Sequence, residues 1–199
     1  MEFKFHFSLS EQDYIDFNMF HTFASKTGKK QYQRIRWLTA GIFLLTGFFY
    51  LLLYGFNSDG LTYLCVFALA AVFAFLIAKP SLRASVKRQV KFLKKQGKLP
   101  FSSEASMTFT ENCFTEQTDT NKSEYSYSIL CDVYLVNDRM LYLYMDTVRA
   151  FLLPVAAFKS KAQFDSFMEF IRGKTVPVTT CDFERSPYME PLFTENFDK

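Results

Sequence analysis

Histidine and cysteine are scarce in this chain: two His (His6, His21) and four Cys (Cys65, Cys113, Cys131, Cys181) among 199 residues, with no CxxC pair and no His at ligand spacing from a Cys. A zinc site or dithiol redox centre therefore has nothing to be built from, and neither metal nor cofactor is expected. No glycine-rich phosphate loop is present. One Cys lies inside an apolar run and the other three are expected in a reducing cytosol, so disulfides are not expected. Charge is missing altogether from two long stretches, and negative charge is missing from residues 79–98. These last two gaps organise everything else.

The first uncharged run, Trp37–Phe56, has twenty residues, and the second, Leu61–Ala78, has eighteen. At about 1.5 Å per residue each matches a hydrocarbon core of roughly 30 Å. Only Asn57, Ser58, Asp59 and Gly60 lie between them, a turn-forming set that sends the chain straight back. The pattern predicts a transmembrane helical hairpin over 31–78 with spans at 37–56 and 61–78. A cleaved signal peptide is not expected: thirty-six residues precede the first run, it exceeds an h-region, and no small-residue cleavage site follows. Lys26, Lys29, Lys30, Arg34 and Arg36 precede the hairpin, a series from Lys79 to Lys98 follows it, and the connecting loop has no basic residue. The positive-inside bias places both termini in the cytoplasm of a two-span protein of the cell membrane. No ionisable residue falls inside either span, which disfavours an ion or proton pathway.

Ala70, Ala74 and Ala78 form a small-residue stripe at spacing four on the second span. Packing against the first span is its ordinary use, with homodimerisation as the alternative. Trp37, Tyr54 and Tyr63 fall near span ends, as interfacial aromatics do.

Residues 79–99 predict a basic amphipathic connector helix. At about 100° per residue, Leu82, Val86, Gln89, Val90 and Leu93 share one arc, while Arg83, Lys87, Arg88, Lys91, Lys94, Lys95 and Lys98 fill the other. Two readings of these charges stand and can coexist. They contact the headgroups of an anionic inner leaflet, each contributing about 1 kcal/mol, or they only set topology while the apolar arc packs on a soluble domain. Nucleic acid is not an expected partner, because a basic run abutting a span is already explained by the membrane.

Residues 1–30 predict a strand and a helix. Phe3, Phe5, Phe7 and Leu9 alternate with polar residues, and Ser10 with Asp13 three positions on reads as an N-cap. The helix is expected to run to about Thr27 with Tyr14, Phe17, Phe20 or His21, and Ala24 along one side, and to stop at Gly28. A lone strand needs a sheet to join, and the C-terminal one is the only candidate on that side of the membrane. His6 and His21 are expected to be ordinary packed or surface residues.

From 100 to 174 the composition is that of an antiparallel meander. Strands are expected at Met107–Thr110, Cys113–Thr118, through Tyr125, Tyr127 and Ile129, at Cys131–Val136, Met140–Met145 and Arg149–Leu153, where Pro154 ends the sheet. Ser160 can cap a last helix carrying Phe164, Phe167, Met168 and Ile171 on one face. Residues 175–199, with Pro177, Pro187 and Pro191 and an acidic lean, read as a flexible tail. Asp132, Asp138 and Asp146 are isolated acids at turns or strand ends, and no catalytic constellation is visible.

Asp13-Tyr14 with Asn18 and Ser25-Lys26 ahead of the spans, then Tyr127-Ser128-Ile129, Leu141-Tyr142-Leu143-Tyr144, Ala150, Leu153-Pro154 and Phe158, resemble the YcxB-like family of bacterial membrane proteins over residues 10–173. That resemblance implies a membrane α+β chain: a two-helix hairpin with a cytoplasmic antiparallel pleckstrin-homology-like β-barrel and a C-terminal helix. It implies no substrate. Such barrels are mostly binding modules, so the expected function is a non-enzymatic, membrane-anchored binding or scaffold module that presents its domain to a protein partner or to lipid headgroups. A membrane-resident immunity protein against a toxin or bacteriocin is the alternative. An enzyme would need a polar pocket with converging titratable groups.

Overall fold

The computed structural model describes residues 2–97, 104–118, 121–174 and 177–183. The chain divides into two compact units, residues 1–17 with 100–199 and residues 18–99.

The first unit is discontinuous in sequence. Strand β1 (Phe3–Ser8) pairs antiparallel with β2 (Glu104–Phe109), placing Phe3 opposite Phe109 and Phe5 opposite Met107. The alternation read from the sequence is visible in its burial, with Phe3 and Phe5 inside and Lys4 and His6 exposed. β3 (Cys113–Thr118) and β4 (Lys122–Ser126) complete a four-stranded antiparallel sheet in the order β1-β2-β3-β4. The expected alternating strand through Ile129 stops at Ser126, and Tyr127–Ile129 form a 3-10 turn. The Tyr127 hydroxyl donates back to the carbonyls of Thr110 (2.7 Å) and Cys113 (3.2 Å), contacts an extended strand would not reach.

A second sheet contains β5 (Asp132–Val136), β6 (Met140–Tyr144), β7 (Ala150–Pro154) and β8 (Val178–Cys181) in the order β7-β6-β5-β8. The turn between β5 and β6 puts Asn137 (φ 54) and Asp138 (φ 52) in the left-handed region that a tight hairpin needs. Pro154 belongs to β7 as its last residue, where the missing N–H is least damaging. β8 lies in what the sequence suggested was a tail, and pairs with β5 in parallel, making this sheet mixed. The expected closed barrel is not observed: among the described residues no strand pairing joins the two sheets. Period-two alternation reports which face of a strand is buried and is silent on whether sheets close.

The two sheets and α4 (Lys161–Lys174) enclose one core, in which Phe5, Phe109, Phe114, Leu141, Leu143, Leu153, Phe167 and Ile171 are essentially inaccessible. Phe167 meets Phe3, Phe5 and Phe109 at 4.9–5.3 Å between ring centroids. Ser160 accepts the Gln163 N–H (3.2 Å) at the start of α4, as the sequence suggested. The opposite face of the second sheet is also covered, since Phe17 lies 5.2 Å from Tyr142 and 6.0 Å from Tyr144.

α1 (Glu11–Phe23) opens on a reciprocal capping box: Ser10 N–H donates to the Asp13 carboxylate (2.8 Å) and Asp13 N–H to the Ser10 hydroxyl (3.2 Å). Its buried residues are Ile15, Phe17, Met19 and Phe20, a wider face than the sequence suggested. The helix ends before Gly28, because buried Ser25 caps a new helix, α2 (Lys26–Tyr54), through the Gly28 N–H. Gly28 is a close approach: an added Cβ would stand 1.8 Å from the His21 carbonyl oxygen.

α2 and α3 (Ser58–Lys95) form the antiparallel hairpin of the second unit. Trp37 packs on Phe75 (5.4 Å), Tyr50 on Phe67 (5.7 Å) and Tyr54 on Tyr63 (5.3 Å), a ladder from its open end to its loop. The loop is Gly55–Asn57, and Asn57 caps α3 through the Gly60 N–H (2.9 Å), so the expected turn residues Ser58, Asp59 and Gly60 begin the helix. At the crossing, Gly47 has room for no side chain, since its Cβ would lie 2.9 Å from that of Phe67. α3 continues through Pro80 without ending. A proline removes one N–H and crowds the preceding turn, but neighbouring hydrogen bonds carry the helix on.

Candidate membrane and headgroup surface

Twenty of the twenty-three exposed large apolar side chains among the described residues lie between Ile35 and Ile77. Monomeric soluble proteins rarely expose an apolar surface of this extent. Both helices are long and apolar enough to cross a membrane. At 38 residues, α3 is about 57 Å long, well beyond a hydrocarbon core of roughly 30 Å.

The excess length of α3 carries the basic residues. Arg83, Lys87, Arg88, Lys91, Lys94 and Lys95 are all exposed, while Leu82, Val86 and Leu93 are half-buried and Val90 is 1% exposed. Gln89, read with the apolar arc, is exposed. The helix thus has one apolar and one cationic side, and no acidic residue occurs from Lys79 to Gly97. Lys98 lies outside the described residues, as do residues 184–199 of the tail.

The alanine stripe is divided in its use. Ala70, Ala74 and Ala78 are half-buried, whereas the residue sunk fully into the helix contact is Ala71. Ala74 and Ala78 instead line a cavity of about 330 Å³. Its wall includes Arg36, which the sequence marked only as a flanking charge. The Arg36 guanidinium carbon sits 3.5 Å from the Phe75 ring centroid, and its Nε is buried with no acceptor among the described residues.

In the β unit, Asp132 opens β5, while Asp138 and Asp146 lie in turns. Asp146 accepts from the N–H groups of Val148 and Arg149 (each 2.7 Å) and from the Arg149 side chain (2.6 Å). These bonds, the two backbone ones foremost, hold its carboxyl down at about 2. Burial pushes the Cys131 and Cys181 thiols up, and all four cysteines are free. Glu116 was not singled out from the sequence. It is half-buried on β3 two residues after buried Phe114, and burial raises its carboxyl. A charged residue at an inward position of an alternating strand was the available signal. Among the described residues no three His, Cys, Asp or Glu converge.

Two helices long and apolar enough to cross a membrane, in one chain with a two-sheet, one-helix β unit, define the class of this protein. Within it, residues 109–171 match the family model described as YcxB-like protein. The match runs from the last residue of β2 into α4 and takes in Tyr127-Ser128-Ile129, Leu141–Tyr144, Leu153-Pro154 and Phe158. Asp13-Tyr14, Asn18 and Ser25-Lys26 fall before it. No curated protein and no solved structure matches the chain.

Proposed function

We propose that this chain is a non-enzymatic, membrane-anchored binding module. The hairpin spans the cell membrane with both ends cytoplasmic, and a pleckstrin-homology-like domain is held at the inner leaflet to engage a protein partner or lipid headgroups. The observation that carries this reading is the continuity of α3: one helix bears the apolar surface up to Ile77 and the cationic face from Arg83 onward. Charge of either sign is costly in the bilayer core, whereas at its surface each Lys or Arg gains about 1 kcal/mol from anionic lipid.

The pleckstrin-homology-like assignment is supported by strand order. Seven strands divide four and three between two sheets, followed by a helix that packs Phe167, Met168 and Ile171 into the core. The hairpin is then an insertion between the first and second strands, and β8 an added edge.

Two experiments test the proposal. In a cysteine-free background, Asp59→Cys should react with a membrane-impermeant maleimide on intact cells, and a cysteine placed at either terminus should not; the reverse pattern would sink the topology. Reversing Lys87, Arg88, Lys91 and Lys94 to Glu should deplete anionic lipid co-purifying in mild detergent, and an unchanged lipid profile would remove the headgroup role.

A further inference from the structure

The structure assigns a phosphate-binding site for an anionic phospholipid to the cavity at the open end of the hairpin, with Arg36 as its principal ligand; the assignment rests on the membrane reading above. The cavity is closed by the end of α1, the start of α2 and the middle of α3, within one compact unit.

Three observations converge on it. The first is a stranded donor. Arg36 is clamped between aromatic faces, 3.5 Å from the Phe75 centroid and 5.3 Å from that of Tyr32, which fixes the guanidinium plane. Its Nε is buried and unmatched among the described residues, a costly state for a charged donor, and the Arg36 side chain forms part of the cavity wall, so an anion there would compensate the buried charge. The planar fork suits a phosphate better than a single acceptor.

The second is the lining. Thr22, Gln31 and Thr39 contribute polar side chains, while Ile35, Ala74, Ala78 and Leu82 make an apolar wall. A soluble anion would use only the polar part. A phospholipid uses both, with phosphate on Arg36 and glycerol and chain carbons against the wall. The alanines are what leave the space open.

The third is depth. Arg36 immediately precedes the uncharged run that starts at Trp37, and Ala78 immediately precedes Lys79. The cavity is therefore level with the basic ends of both spans, where the headgroup phosphates of the leaflet lie.

Trp37, the single tryptophan, adjoins Arg36 and reports on its lipid neighbours. The full chain is reconstituted in phosphatidylcholine bilayers, and Trp37 emission is titrated with dibrominated phosphatidylglycerol or dibrominated phosphatidylcholine. Half-quenching is expected at about a tenfold lower fraction of the anionic lipid, the scale of a charge-assisted contact. Arg36→Gln should bring that ratio close to one, Ala78→Phe should do the same by filling the cavity with Arg36 intact, and Arg36→Lys should keep part of it. A ratio of one in the native chain would overturn the site. So would a ratio that survives both Arg36→Gln and Ala78→Phe, since the preference would then belong to the basic face of α3. Loss of the preference on adding soluble glycerol 3-phosphate would overturn the lipid as its source. Absence of quenching by either lipid would instead remove the membrane reading, and the site with it.

Discussion

Asn137 and Phe183 exchange two hydrogen bonds across 46 positions of sequence: the Asn137 Nδ2 donates to the Phe183 carbonyl at 2.8 Å, and the Phe183 N–H donates to Oδ1 at 2.7 Å. The same residue's own N–H donates to the Cys181 carbonyl (3.1 Å). The β5–β6 turn is thereby the clamp for β8. Asn137→Gly keeps the positive φ and deletes the side chain, so it isolates the clamp. Its loss should cost about 1–3 kcal/mol for two bonds, concentrated in β8. Hydrogen exchange of residues 178–183 should accelerate while β6 stays protected; unchanged exchange would refute the clamp.

Because β1 is separated from β2 by the whole hairpin, a fragment starting at residue 100 lacks the strand that covers Met107 and Phe109. Such a fragment should aggregate or bind a hydrophobic dye, and fusing residues 1–17 to its front through a short linker should restore cooperative unfolding. Within the full chain, Phe5→Ala empties a site where Phe5 touches Phe158 (4.5 Å) and Phe167 (5.2 Å), at a cost of about 3–5 kcal/mol. A soluble, cooperatively folded 100–199 fragment would contradict this account.

Gly47 and Gly41 lie on the same helix and make opposite predictions. A Cβ at Gly47 would meet Phe67 at 2.9 Å, while one at Gly41 would meet nothing within 4 Å. Gly47→Val should force the helices apart and lower the thermal midpoint in detergent, with overpacking costs of about 1–3 kcal/mol. Gly41→Ala should leave it unchanged. Equal effects at both positions would mean that the hairpin is not packed in this register.

Two side chains of the β unit give pH signatures of opposite sense. The Asp146 carboxyl, depressed to about 2, stabilises the fold above its unfolded value and loses that contribution as pH falls through about 2. Carboxyl NMR should place its midpoint well below an ordinary aspartate, and an ordinary midpoint would refute the turn. Burial pushes the Tyr127 hydroxyl up, so its contribution is complete below the unfolded tyrosine value and is lost as pH rises through the folded one. Tyr127→Phe should cost about 1 kcal/mol and reduce the alkaline loss of stability; an unaltered alkaline limb would exclude Tyr127 as its source.

What the sequence determined by itself was whatever depends on near neighbours. The two uncharged runs, the Ser10–Asp13 box, the inward Phe3 and Phe5, the β3 limits and the apolar face of α4 each follow from spacing of two to four residues. Tertiary structure decided the rest, because its causes lie far along the chain. Alternation could not tell a closed barrel from two separate sheets, and nothing local to Val178–Cys181 says that β5 offers a free edge. That the second span and the basic stretch are one helix running through Pro80 is visible only in the fold. Arg36 looked like one flanking charge among many; only the fold puts an aromatic ring against its guanidinium and its side chain into a cavity wall. A side chain's spacing is written in the sequence, but its desolvation and its partners exist only once distant segments have met.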